Sequence, residues 1–265
     1  RINICFSKLK KEKKPAFIAF LTACDPSFSM SLKLLKAMPQ AGVDIIEIGM
    51  PFSDPMADGP IIQRSYNRAL KSGSSLSKTL NLVKNFRSTN NITPVVLMGY
   101  YNPILQMGLK KFINKAKDSG VDGVLIVDLP PEVSNELSLE LDTAKLDMIR
   151  LASPTTTIER MKNILKSSSG FIYYVSITGV TGSKINKIPD IKRKYIFLKK
   201  EIDMPFVIGF GINSPQKAYE ISRYADGLVV GSSLIKEIEK GIENRSNIFN
   251  NVISLVKKYS KAINK

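Results

Sequence analysis

Eight short apolar runs alternate with stretches of helical periodicity, and no linker or low-complexity tract divides them. This order predicts an α/β fold, and within that class a single (β/α)8 TIM barrel over residues 1–265. Three observations lead there. The runs are rich in β-branched residues and do not alternate, as expected of parallel strands covered on both faces. The segments between them carry apolar residues three and four apart. The length of 265 residues is close to the roughly 250 that such a barrel fills as one domain. An open doubly wound sheet is the other arrangement of such units, but no G-x-G-x-x-G follows the first run, which favours closure.

The strands are expected at 17–22, 43–48, 94–98, 121–128, 146–152, 171–176, 205–210 and 226–231. Ser27 and Ser29 mark the start of a helix whose apolar face carries Leu32, Leu35 and Met38. Leu109, Phe112 and Ile113 give the helical spacing after the third strand, and Ile158, Met161 and Ile164 after the fifth. Ser214 before Pro215 reads as a cap followed by proline in the first turn. The loop from Thr178 to Asp190 is long and bears Gly179, Gly182 and Ser183, which suits a lid. Residues 246–265 read as a final lysine-rich amphipathic helix.

Composition narrows the chemistry. The chain has no histidine, which excludes His-based triads, His proton relays and His-ligated zinc. Acid–base work must then fall to Asp, Glu, Lys, Tyr or Cys. Cys5 and Cys24 are too few for a disulfide framework, so free thiols and a cytoplasmic location are expected. No apolar run approaches the ~18 residues that would span a bilayer. The stretch 16–23 behind the basic N-terminus is short and lacks a cleavage pattern, so no signal peptide is expected. A net charge of +16 raises the question of nucleic acid. The lysines, however, are scattered along the whole chain, with no arginine-rich arm or stacking motif, so no nucleic-acid partner is expected. The positive field would still favour an anionic substrate.

Residues 43–58 read VDIIEIGMPFSDPMAD. Glu47 sits at the end of an apolar strand, and Asp58 ends the loop that follows, between Pro51 and Gly59. Carboxylates are rarely buried unless paired or used, so both are candidates for acid–base chemistry. Three glycine-bearing segments follow the sixth, seventh and eighth strands: 179–182, Gly209-Phe210-Gly211 and Gly231-Ser232-Ser233. Glycine allows close approach of backbone N–H groups to an anion, and the last segment precedes an apolar helix whose N-terminus suits phosphate. Barrels of this class often place phosphate beside strands seven and eight.

The chain resembles the tryptophan synthase alpha chain family over nearly its whole length. The likeness rests on Leu21-Thr22-Ala23-Cys24-Asp25-Pro26, the long run from Glu47 to Pro60, Leu97 to Pro103, Asp128-Leu129-Pro130, and Ser176 followed by Gly179-Val180-Thr181-Gly182. It implies a barrel that cleaves indole-3-glycerol phosphate to indole and glyceraldehyde 3-phosphate. Glu47 matches the family's catalytic glutamate and Asp58 its catalytic aspartate. Tyr173 matches a tyrosine near that glutamate, and Thr181 a lid threonine. Gly182, Gly211, Gly231 and Ser232 match phosphate binders. Phe20, Met98, Tyr100 and Leu125 would help to form the indole pocket. The resemblance also implies no cofactor in this chain. Its partner would be a beta chain carrying pyridoxal phosphate, in an alpha2-beta2 heterotetramer whose interface uses segments containing Pro51, Phe52, Asp54 and Asn102. Cys24 and Ile177 depart from residues common in the family, the latter within the lid.

Rival readings fit less well. A sugar-phosphate isomerase would share the phosphate loops without needing the Glu47/Asp58 pair. A Schiff-base aldolase would want a lysine within 171–176, where there is none. A metal-dependent aldolase would have only Asp54 and Asp58 as a poor ligand set. A regulatory subunit without activity would not need Glu47, Asp58 and Thr181 intact.

Overall fold

The computed structural model describes residues 1–175, 188–209 and 211–265. Eight parallel strands close into a barrel in chain order, and the eighth pairs back onto the first. They are β1 (Ala16–Thr22), β2 (Ile45–Gly49), β3 (Val95–Gly99), β4 (Gly123–Ile126), β5 (Asp147–Ala152), β6 (Ile172–Val175), β7 (Phe206–Gly209) and β8 (Gly227–Val230). Each lies where the apolar runs place it, offset by a residue or two. The fourth is the most shortened. Asp128 lies beyond it and accepts a hydrogen bond from the Tyr101 backbone N–H at 2.8 Å, which ties the segment after β4 to the helix start that follows β3.

Around the strands run α1 (Ile2–Lys11), α2 (Phe28–Ala37), α3 (Pro60–Lys71), α4 (Leu76–Arg87), α5 (Tyr101–Met107), α6 (Leu109–Ser119), α7 (Asn135–Thr143), α8 (Ile158–Lys166), α9 (Ile188–Lys199), α10 (Pro215–Ser222), α11 (Ser232–Glu243) and α12 (Ile248–Ile263). The caps follow the sequence signals. The Ser27 hydroxyl accepts from Met30 N, and that of Ser214 from Lys217 N, with Pro215 in the first turn of α10. Ser29 is already inside α2. The tail helix buries Val252, Val256, Tyr259 and Ile263, four or three residues apart. Of the expected lid, residues 178–187 lie outside the described residues, and 188–190 open α9. No helix among the described residues is long and apolar enough to cross a membrane.

The barrel's lower, N-terminal end is closed by α1, whose lysines hide its spacing in the sequence. Ile2, Phe6 and Leu9 fall on one face and are buried. Phe6 packs against Phe171 with ring centroids 5.8 Å apart, and Ile2 reaches beneath Gly123. Burying such side chains stabilises by roughly 1.5–3 kcal/mol each. A charged cluster lies beside this plug. Arg87 donates to Asp122 at 2.6 Å and to the Gly120 and Thr93 carbonyls at 2.8 and 2.7 Å. Asp122 also accepts from Arg1 and from Val95 N, both at 2.7 Å.

Candidate active site

Glu47 is placed by register. It lies beside Phe20 of β1 and Val96 of β3, on the inward face of β2. The side chain is 1% exposed, and neither carboxyl oxygen finds a hydrogen-bond partner among the described residues. Burial, and secondarily the nearby Asp58, push its pKa up to about 8. A carboxyl in such surroundings keeps its proton at neutral pH.

Asp58 is built differently. Its loop leaves β2 through Pro51 and turns at Pro55, whose carbonyl accepts from Asp58 N at 3.1 Å. Tyr100, at the N-cap of α5, accepts from Ala57 N at 2.9 Å and donates to the Asp58 carboxylate at 2.7 Å. The Gln63 amide donates to the Asp58 carbonyl at 2.9 Å. Burial raises the Asp58 pKa to about 6, against the opposing effect of the Tyr100 hydrogen bond. Near pH 7 one carboxyl of the facing pair is therefore neutral and the other ionised, the division of labour that acid–base catalysis uses.

Both carboxyls line one cavity together with Phe20, Met98, Tyr173, Gly211, Gly231 and Ser232. Those eight sequence candidates thus converge on a single space. Its rim is the uncapped N-terminus of α11: no side chain caps it, Gly231 is the N-cap and Ser232 the first helical residue. The first N–H groups of a helix lack intrahelical partners, which makes this end a ready anion site. Gly231 also lets β1 come close, since a Cβ there would lie 3.1 Å from Phe20 Cβ. Gly209 serves Tyr173, because a Cβ at 209 would fall 2.1 Å from that ring.

Other expected residues fall elsewhere. Tyr100 acts through its bond to Asp58, outside the cavity lining. Leu125 is buried in the barrel wall between Met98 and Ile149, also outside that lining. Thr181 and Gly182, together with Ile177, lie outside the described residues. A second cavity adjoins the first, sharing Asp58 and Met98, and opens toward the loops after β4 and β5. Its apolar lining includes Leu129, which lies in one of the segments that carry the resemblance, and Val127 and Leu151, which the sequence does not single out. Leu151 could have been found, since it lies in register with Tyr173 on the inward face. Val127 sits just past a strand end, and carries no pattern of its own.

A family model described as tryptophan synthase alpha chain matches residues 6–264. Among solved structures, the tryptophan synthase subunit alpha of Legionella pneumophila str. Paris superposes with a TM-score of 0.94 at 38% identity, covering 99% of this chain and 98% of that one. A tryptophan synthase alpha chain of Legionella pneumophila subsp. pneumophila gives 0.93 at 37% identity, over 99% and 97% of the two chains. The aminoacrylate-bound form of tryptophan synthase from M. tuberculosis gives 0.88 at 27% identity, over 99% and 98%.

Proposed function

Because the chain belongs to the tryptophan synthase alpha chain family, we propose that Glu47 and Asp58 carry out its cleavage chemistry. The reaction is that of the family, a lyase step of tryptophan biosynthesis: indole-3-glycerol phosphate gives indole and glyceraldehyde 3-phosphate. The partner is a beta chain, and pyridoxal phosphate belongs to that chain's chemistry.

The observation that carries the assignment is the buried Glu47 carboxyl, without a hydrogen-bond partner among the described residues, in one cavity with Asp58. The scissile bond joins indole C3 to a hydroxylated carbon, and it cannot break while the ring is aromatic. Protonated Glu47 gives its proton to C3, which converts the ring to an electron sink. Asp58, aimed by Tyr100, accepts the hydrogen bond of the indole N–H as positive charge grows on that nitrogen. The C–C bond then breaks, its electrons restore the aromatic ring, and the glycerol hydroxyl proton passes to the Glu47 carboxylate. The carbonyl of glyceraldehyde 3-phosphate forms, and Glu47 is again protonated.

The phosphate lies at Gly211, Gly231 and Ser232, and the family resemblance adds Thr181 and Gly182, which lie outside the described residues. Phe20 and Tyr173 flank the reacting carbon. The ring lies against Met98, and the apolar wall of the second cavity at Val127 and Leu151 borders its far edge. Binding the phosphate away from the reacting bond fixes the approach of the acid.

The test is indole release by purified Glu47→Gln with a beta chain present. A positioned acid or base contributes about 10²–10⁴ in rate, so the expected result is a loss of that size with substrate binding retained. Turnover equal to that of the unaltered chain would remove Glu47 from the mechanism.

A further inference from the structure

The proposed mechanism requires a fixed distance between two separately built parts, the phosphate end of α11 and the loop that presents Asp58. Helix α3 touches both. It begins two residues after Asp58, and Gln63 in its first turns donates to the Asp58 carbonyl at 2.9 Å and to that of Pro55 at 3.4 Å. On the same side, Arg64 and Arg68 grip α11 through Glu239. Arg64 donates to both carboxylate oxygens at 2.7 and 2.9 Å, and Arg68 to one at 3.0 Å. Arg68 also forms a two-pronged pair with Asp25 at 2.9 and 2.9 Å. The Asp25 side chain is fully buried just beyond β1. The buried Ser65 hydroxyl lies 2.6 Å from that of Thr22, the last residue of β1.

This network is far more specific than helix packing needs. Exposed ion pairs contribute little, whereas a forked arginine–carboxylate pair with a buried partner fixes geometry as well as charge. Glu239 lies seven residues after Ser232, two turns along α11, so the pair that restrains one restrains the other.

We propose that Arg68 is a positioning residue. It locks α11 to α3 and β1, so that phosphate bound at Ser232 sets the register of the substrate against Asp58 and Glu47. This rests on the phosphate and carboxylate roles assigned above. In this arrangement the phosphate contributes to the rate of bond cleavage as well as to binding, and it does so through Arg68.

The experiment compares indole-3-glycerol phosphate with indoleglycerol lacking the phosphate, by kcat/KM for indole release, in the complex with a beta chain. A misplacement of about 1 Å can cost on the order of 100-fold. For Arg68→Met we expect a loss of roughly 10- to 100-fold on the phosphorylated substrate, and a change within about twofold on the other. Arg68→Lys, which keeps the charge without the fork, should recover part of the difference. Equal losses on both substrates would show a structural role and overturn the proposal, as would no loss on either. Should Arg68→Met not fold, Glu239→Gln leaves the Asp25–Arg68 pair intact and should show the same split between substrates. Failure of the underlying functional reading looks different: the unaltered chain would then gain nothing from the phosphate, or would release no indole at all.

Discussion

Two buried carboxyl groups at opposite ends of the barrel, Asp122 below and Glu47 above, are treated in opposite ways. At the lower end every charge in the buried cluster is answered: Asp122 takes hydrogen bonds from Arg87, Arg1 and Val95 N. At the upper end Glu47 is as deeply buried, and its oxygens have no partner among the described residues. The same physics yields a structural site in one place and the proposed reactive one in the other. Pairing ties a carboxylate into the structure, whereas burial without a partner pushes the Glu47 pKa up and favours a proton that it can give away.

The sharpest way to break this contrast is to neutralise the upper carboxyl. Glu47→Gln should lose activity as described, and it should also gain stability. The sign follows from the raised pKa. In the unfolded chain the carboxyl ionises near its ordinary value, and in the folded chain it stays neutral up to about 8. Its contribution is therefore most favourable below the ordinary value and is lost as pH rises toward 8. The gain in the variant should reach on the order of 4 kcal/mol above pH 8 and vanish near pH 4. Urea unfolding at both pH values measures it, and a gain independent of pH would contradict the burial argument.

Neutralising the lower carboxyl should do the reverse. Asp122→Asn leaves Arg87 and Arg1 without their counter-charge, and breaking a buried pair costs about 3–5 kcal/mol. Indole release measured well below the melting temperature should be nearly unchanged. A large loss of activity at full folding would show that the two ends are not separable.

A milder probe is pH itself. kcat/KM should rise as Asp58 ionises near pH 6 and fall as Glu47 loses its proton near pH 8, giving a bell whose limbs belong to the pair. The smallest effect expected is that of Tyr100→Phe. Removing the hydrogen bond that favours ionised Asp58 should move the acid limb upward, with a loss of roughly 1.5–3 kcal/mol at most in transition-state stabilisation. An unmoved limb would mean that Tyr100 does not orient the carboxylate.

Much of this was legible in the chain itself. Strands buried on both faces are mostly apolar, so all eight were visible as runs even where Glu47 or Arg150 interrupts them. Glu47 stood out because a carboxylate interrupting such a run needs a reason. What escaped was what depends on distant packing. The plug α1 was hidden because Ile2, Phe6 and Leu9 are scattered among lysines. The place of Gly209 under the Tyr173 ring and the grip of Arg68 on Asp25 and Glu239 are contacts between elements far apart in sequence. Val127 and Leu151 escaped as well, since nothing in either residue's type distinguishes a wall of the site from ordinary core.

The plug has one more effect. With Ile2 and Phe6 seated under the strands, the barrel is a blind-ended vessel. Among the described residues α1 fills the lower end, so a product freed at the carboxyls is expected to leave on the side of the upper loops. A subunit seated on those loops would then be placed to take custody of each molecule released.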